Sequence, residues 1–440
     1  MLRTVTSQAR EDWEALRDSG FQEREAKRGR LIAATEVDEP ALAEGDVAYV
    51  LEHPRVPFVS YPYEWCFSAL KAAALLHLDL QLEALAADLV LSDATAYNVQ
   101  FRGPRPVFID TLSFERYREG AYWLGHRQFC EQFLNPLLLR ALFGVAHNAW
   151  FRGAQEGITS AEMRALLPLR RKLSRRVLTH VVLPGMLGAS GGGNRTSSVS
   201  EAVKQRGLPR ASYRGMLEQL RNWIAGLEPK SGGKTTWQDY ASTHSYSDAE
   251  AEAKRRFVAE FAADVRPELA FDLGCNTGDY SCALLEAGAG RVVGFDADQG
   301  ALELAFARAT EQELDLLPLY LDAANPPPSQ GWSQRERAGL EARLPANGVV
   351  ALAVVHHLAI GRNVPLDALL DWLLSLAPQG VVEFVPKGDA MVRELLALRE
   401  DVFPDYETEV FARLLAERAR IVRSEVVTES GRTLFRYAVE

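Results

Sequence analysis

One stretch constrains the fold of this chain more than any other. Residues 271–281 read Phe-Asp-Leu-Gly-Cys-Asn-Thr-Gly-Asp-Tyr-Ser. The apolar run Leu269-Ala270-Phe271 leads into it, and an amphipathic run over 280–287 follows. Strand, small-residue loop and helix are predicted in that order. Gly274 and Gly278 have no Cβ, so a ligand can approach the backbone where a helix begins. A second apolar run, Arg291-Val292-Val293-Gly294-Phe295, ends in Asp296, which stands 18 residues beyond Gly278. In nucleotide-binding α/β folds an acid about 20 residues past the glycines closes the second strand and accepts hydrogen bonds from ribose hydroxyls.

That spacing also suits a dinucleotide fold, so residue types decide. A pyrophosphate is seated by Gly-x-Gly-x-x-Gly. Here the loop carries Asp272, which repels a pyrophosphate and suits a ligand with a cationic amino group. The run Asp-Leu-Gly-Cys-Asn-Thr-Gly resembles motif I of class I S-adenosylmethionine-dependent methyltransferases, with Asn276 where the middle glycine usually stands. Asparagine tolerates left-handed backbone better than most residues. The resemblance implies S-adenosyl-L-methionine as cofactor. It implies that Asp272, Gly274, Cys275, Asn276 and Gly278 hold the methionine part and that Asp296 takes the ribose diol. Asp322, in Tyr-Leu-Asp-Ala-Ala, stands where such enzymes place an acid for the adenine amine. Capping of the next helix by Asp296 and a surface turn at Asp322 are the bland alternatives.

The chain has 440 residues, enough for two or three domains. Hydrophobic residues make up 47% and charged residues 25%, as in soluble globular proteins. The sequence has no apolar run of transmembrane length and no signal-peptide core at its start, so a cytoplasmic protein is expected. Cys66, Cys130, Cys275 and Cys282 show neither a disulfide frame nor metal-ligand spacing, and no metal site is assigned. A net charge of −10 argues against broad nucleic-acid affinity.

A Gly/Ser-rich run over 187–200 predicts a flexible linker, and 228–234 a second soft spot. Between them 213–227 reads as an amphipathic helix. The expected division is an N-terminal α+β domain over 1–186, a linker and connector helix over 187–234, and a catalytic α/β domain over 235–440. In the last, strands are predicted near 269–273, 291–295, 316–321, 348–355 and 380–385, with helices at 366–376 and 406–419. Two β-rich runs, 421–428 and 433–439, end the chain. The family resemblance implies that these form a Rossmann-like, seven-stranded class I methyltransferase sheet closed by an antiparallel hairpin.

Ligands of open α/β sheets bind beyond the carboxyl ends of the strands. His356 and His357 are expected to end the fourth strand, where one of them could serve as general base on an acceptor hydroxyl. Neighbouring strand residues face opposite ways, so at most one would point at substrate. Glu383 and Lys387 flank the fifth strand and are candidates for shaping the acceptor pocket. Trp237, Tyr240, Tyr246 and Lys254 are candidates for a lid.

The first half holds a second pattern. Leu91-Ser-Asp93-Ala-Thr-Ala-Tyr-Asn98 is followed by Pro106-Val-Phe-Ile-Asp110 on an expected strand. An Asp five residues before an Asn, then another Asp, resembles the catalytic loop and metal-binding Asp of protein kinases and related phosphotransferases. The resemblance makes Asp93 the base and Asn98 and Asp110 magnesium ligands. The usual His is Leu91 here, and no Gly-rich phosphate loop precedes residue 60, so a remnant inactive in phosphotransfer is expected. An Asx-rich turn in a scaffold domain is the alternative. Tyr61-Pro-Tyr-Glu-Trp65, the 93–98 run, Ile109-Asp-Thr-Leu-Ser-Phe114 and the 272–278 motif together resemble a bacterial family of class I methyltransferases that includes proteins related to a host-specific nodulation protein. Gly232-Gly-Lys-Thr235 lacks the leading glycine and strand of a phosphate loop. The basic run 170–176 is read as a solvated helix face before it is read as an RNA contact. The expected reaction is methyl transfer to a small-molecule or glycan hydroxyl. Phosphotransfer through Asp93, Asn98 and Asp110, and RNA methylation, are the alternatives.

Overall fold

In the computed structural model the described residues are 1–42, 45–189, 207–230, 248–343, 346–397 and 399–439. The chain divides into two compact units, Met1–Gly232 and Gly233–Glu440.

In the first unit β1 (Leu2–Thr6), β2 (Thr35–Glu36) and β3 (Val47–Glu52) form an antiparallel sheet in the order β1-β3-β2. Helix Phe67–Ala86 follows. It is apolar nearly all round, so it is buried on most sides. β4 (Leu89–Leu91) pairs with β7 (Phe114–Arg116), and between them β5 (Val99–Arg102) and β6 (Arg105–Phe108) make a hairpin. Asp110, expected on a strand, lies past the end of β6 and caps the turn Thr111–Ser113 through Leu112 N–H. Helix Arg210–Ala225 buries Tyr213, Leu217, Leu220 and Ile224, a single helical stripe. It packs in the first unit: Gln81 donates to the Tyr213 hydroxyl, Arg221 pairs with Asp79, and Lys71 Nζ donates to Leu227 O at 2.7 Å. The expected linker begins within helix Leu183–Ala189, and most of it lies outside the described residues.

The second unit is built on a seven-stranded sheet. Its strands are β8 (Ala270–Leu273), β9 (Val292–Asp296), β10 (Leu316–Tyr320), β11 (Gly348–Ala351), β12 (Gln379–Phe384), β13 (Arg420–Val426) and β14 (Thr433–Ala438). Their order is β10-β9-β8-β11-β12-β14-β13, parallel except for β14, which is antiparallel to both neighbours. This is the doubly wound sheet with a terminal hairpin that the family resemblance implied, in the element order read from the sequence. β8, β9 and β11 are buried along almost their whole length, as strands covered on both faces must be. Phe257, Phe261, Leu284, Val350, Val381 and Leu434 form part of the core between sheet and helices. The chain winds one way from β8 to β9 and the other way to β11, so the switch point lies at β8 and β11.

One strand is shorter than expected. β11 ends at Ala351, and helix Val355–Ala359 starts three residues after Leu352. His356 and His357 are therefore helical neighbours, with ring centroids 4.1 Å apart, and do not project to opposite faces of a strand. Between strand and helix Ala353 holds a left-handed φ of 54°. No glycine marks that turn in the sequence.

Candidate functional site

The loop after β8 takes the conformation its residue types permit. Gly274 and Gly278 have φ of 73° and 85°, and Asn276 has 49°. Left-handed backbone costs an ordinary L-residue about 1–2 kcal/mol, which glycine and, in part, asparagine escape. Space is tight at both glycines too. A Cβ on Gly274 would stand 2.9 Å from Val354 Cγ2, and one on Gly278 3.1 Å from Leu316 Cδ2. The first contact sets the histidine-bearing turn directly against the glycine loop. Gly278 precedes helix Asp279–Glu286 as its N-cap.

Asp296 ends β9 with its carboxylate turned to this loop. Oδ2 accepts Asn276 N–H at 2.8 Å and Oδ1 accepts Asp298 N–H at 2.8 Å. A carboxylate has about four acceptor positions, so acceptor capacity remains beyond these two bonds. Burial raises its pKa, against the lowering effect of the Asp298 and Asn276 N–H groups. The capping expected as a bland role falls instead to Asp298, which accepts Gly300 N–H at 2.6 Å and Ala301 N–H at 3.1 Å. Asn276 Oδ1 is buried and has no hydrogen-bond partner among the described residues. An orphaned buried acceptor beside a half-satisfied carboxylate fits a polar ligand that brings its own donors.

Asp272 sits behind the loop rather than on it. It is 1% exposed, and the Ser281 hydroxyl donates to its Oδ2 at 2.6 Å. Burial pushes its carboxyl up to about 7, opposed by the Ser281 bond and reinforced by Asp296 and Asp279. A cationic group nearby would reverse that shift. Cys275 is 3% exposed and its side chain lies against Gly294, while its N–H donates to Phe295 O at 3.0 Å and its carbonyl accepts Gly278 N–H at 2.8 Å, so it shapes the loop from within. Asp322 follows β10 and accepts Ala324 N–H at 3.1 Å. Arg362 lies 3.8 Å away.

His356 is fully buried, and both its ring nitrogens lack hydrogen-bond partners among the described residues. Burial, then the charges of His357 and Arg432, hold it well below the ordinary histidine range. His357 is half-buried, and burial followed by Arg432 lowers it to about 4.

Beneath this turn lies a buried ionic cluster. Glu383, near the end of β12, accepts Lys254 Nζ at 2.6 Å and Ala353 N–H at 2.9 Å. It thus fastens the left-handed turn. Arg432 Nη1 lies 3.6 Å from Glu383, and its guanidinium grips Asp389 at 2.7 and 2.8 Å. Lys254 is 1% exposed in helix Asp248–Val265, so it is a structural partner of Glu383 and not part of a lid. Trp237, Tyr240 and Tyr246 lie outside the described residues. Lys387 is held by Asp401 at 2.9 Å and Phe403 O at 2.7 Å. Ser281 and Ala353 are not singled out by the sequence; a serine nine residues after Asp272 is the one trace of the former.

In the first unit Asp93, Asn98 and Asp110 do converge. Asn98 Nδ2 donates to Asp93 Oδ2 at 3.1 Å and to Asp110 Oδ2 at 3.4 Å. Arg3 pairs with Asp110 Oδ1, and the Ser113 hydroxyl donates to Oδ2 at 2.6 Å. The network is thus satisfied from within. The basic run is exposed on helices Leu169–Lys172 and Arg175–Val177. Among the described residues no helix is long and apolar enough to cross a membrane.

No family model matches the chain. It is 48% identical over 415 residues to the nodulation protein NoeA of Rhizobium meliloti, covering 93% of this chain and 86% of that protein. It is 30% identical over 263 residues to a tRNA U34 carboxymethyltransferase of Idiomarina loihiensis, covering 57% of this chain and 70% of that protein. Among solved structures, the magnesium protoporphyrin IX methyltransferase of Synechocystis covers 48% of this chain and 87% of its own, with 18% identity and a TM-score of 0.32.

Proposed function

The chain belongs to the family of the nodulation protein NoeA, and from that premise we propose that it is an S-adenosylmethionine-dependent methyltransferase acting through its second unit. The observation that carries this is the pairing at the switch point: the Asp296 carboxylate at the end of β9, turned to the glycine loop with acceptor capacity to spare, beside the orphaned Asn276 Oδ1. A ribose diol supplies two donors to the first. Gly274 and Gly278 present no side chain at a helix start, and Asp272 behind them favours a cationic amino group. When bound, the cofactor would supply an activated methyl group. Asp322 is assigned to the adenine end.

The chain's own residues then bind, orient and exclude water. A base held near 4 accepts a hydroxyl proton poorly at neutral pH. Alignment of the two reactants therefore supplies most of the acceleration, with His357, the less buried of the pair, as the histidine beside the acceptor. The acceptor class is a small-molecule or glycan hydroxyl. The relative named for tRNA U34 and the exposed basic run make RNA the arm to test against it. A second reading, nucleotide binding by the first unit, is favoured by the convergence of Asp93, Asn98 and Asp110. We place it behind, because Arg3 already neutralises Asp110.

Calorimetry on the full chain separates the readings. S-adenosylmethionine and S-adenosylhomocysteine should bind with one site per chain, and magnesium-ATP should not compete. Binding of magnesium-ATP without either sulfur ligand would refute the main proposal. Incubation with methyl-labelled cofactor and either tRNA or a glycan and metabolite extract then assigns the acceptor; transfer to tRNA, steeply reduced by salt, would replace the hydroxyl class with RNA.

A further inference from the structure

We infer that the first unit carries a zinc site formed by His126, Cys130 and His180. The three ligand atoms lie within 4.8 Å of one another. His126 Nε2 is 2.9 Å from His180 Nδ1 and 3.6 Å from Cys130 Sγ. Tetrahedral Zn²⁺ with bonds of about 2.05 Å to nitrogen and 2.3 Å to sulfur requires a nitrogen–sulfur gap of about 3.6 Å and a nitrogen–nitrogen gap of about 3.3 Å. The His126–Cys130 gap already meets the first, the His126–His180 gap needs about 0.4 Å of opening, and the Cys130–His180 gap, within 4.8 Å, closes by at most about 1.2 Å.

The backbone is shaped around these residues. His126 and Cys130 are four apart along one helix and so share a face. Cys130 opens a π-helical turn, Cys130–Leu134, and His180 is the centre of another, Leu178–Val182. Such wide turns are rare and gather at functional sites. Cys130 and His180 are buried and His126 is half-buried. One thiol and two imidazoles form a donor set soft enough to favour zinc over magnesium or calcium.

Loading balances simply. Cys130 gives up its thiol proton to solvent and binds as thiolate. The one proton shared between the two histidines moves to the far nitrogen of its own ring, leaving a lone pair from each for the metal. A fourth position is left for water or another donor. The consequence reaches the kinase-like loop. The helical segment bearing His126 and Cys130 also bears Gln128 and Gln132. Their carbonyl oxygens accept Ala94 N–H, Ala96 N–H and Thr95 Oγ1–H, each at 2.8 Å. A metal pinning this segment to His180 thereby holds the loop that presents Asp93 and Asn98.

The test uses the full-length chain, stripped with chelator and titrated with Co²⁺ and then Zn²⁺. One cobalt per chain should bind, with thiolate-to-cobalt charge-transfer absorption, and one zinc should displace it and survive gel filtration. Cys130→Ser should abolish the charge-transfer band, and His180→Gln should weaken binding at least about tenfold. Cys282→Ser, in the other unit, should change neither. If Cys130→Ser fails to fold, the wild-type spectrum and His180→Gln decide. Absence of the band in wild type, or its survival in folded Cys130→Ser, would overturn the assignment.

Discussion

Asp296→Ala is the most informative single substitution. The carboxylate bridges two backbone N–H groups, of Asn276 and Asp298, at 2.8 Å each. Hydrogen bonds to a charged group contribute about 1.5–3 kcal/mol apiece, so their loss costs about 3–6 kcal/mol in the dry limit. Asp296 is only half-buried, and water can enter the space the side chain leaves, so about 3 kcal/mol is expected. For a unit of this size each kcal/mol lowers the melting temperature by about 2–4 °C, giving a fall of about 6–12 °C. Removing the carboxylate also removes the acceptors proposed for the ribose diol, which should weaken S-adenosylmethionine binding at least about tenfold, or 1.4 kcal/mol. Thermal melts measure the first effect, and calorimetry well below the melt measures the second. Asp296→Asn sharpens the result. Its amide oxygen can keep one N–H, but its NH₂ group faces the other donor, so both losses should persist in milder form. A folded Asp296→Ala protein with unchanged affinity would remove Asp296 from the site and leave it a loop fastener only.

Three further outcomes are expected. Gly274→Ala combines left-handed φ with a Cβ 2.9 Å from Val354 Cγ2, and should cost about 1–3 kcal/mol in a denaturant melt while weakening cofactor binding. Lys254→Met strands the buried Glu383 carboxylate with Arg432 at 3.6 Å as its nearest remaining cation, and should cost about 3 kcal/mol; Lys254→Met combined with Glu383→Gln should recover part of that loss. Burial pushes the Asp389 carboxyl up, but its bonds to Arg432, Ser430 and Met391 N–H outweigh burial and hold it at about 2. A depressed carboxylate stabilises the fold above its unfolded value near 4 and loses that contribution as pH falls towards 2. Acid melts of wild type should therefore lose about 2 kcal/mol more over that interval than those of Asp389→Asn.

The sheet is legible where local signals are strong and consistent. β8, β9, β10 and β12 fall within a residue or two of the apolar runs, because each run is short, bounded by polar or small residues, and buried on both faces. Asn276 in place of a glycine is legible too, since its side chain tolerates the left-handed φ it adopts. The fourth strand misleads for a physical reason. Residues 348–355 are continuously apolar, and such a run does not reveal where extended backbone turns helical. The turn is made by Ala353, held left-handed with its N–H bonded to Glu383, a partner 30 residues away. Past that turn the histidines lie on helix Val355–Ala359, where His356 is buried and His357 half-buried. The helix at 210–225 is legible as a helix but not as a member of the first unit, because its anchors, Asp79, Gln81 and Lys71, are more than 130 residues distant.

The same limit explains why the histidine–cysteine cluster is invisible as a motif. His126 and Cys130 alone are an i, i+4 pair that many helices carry, and His180 stands 54 residues from His126. Metal motifs readable in sequence keep ligand pairs close because the metal itself does much of the folding. Here the order is reversed. A packed apolar unit, with Phe129 and Phe133 against the buried His77, already fixes the helix. Two π turns then set the reach of Cys130 and His180. A site built on a finished core needs no compact ligand spacing, and its loss should unsettle the 93–98 loop before it unfolds the unit. Hydrogen exchange of Ala94 and Ala96 amides, with and without zinc, would read that difference directly: protection that rises with metal at these amides and not at those of helix Phe67–Ala86 is the expected pattern.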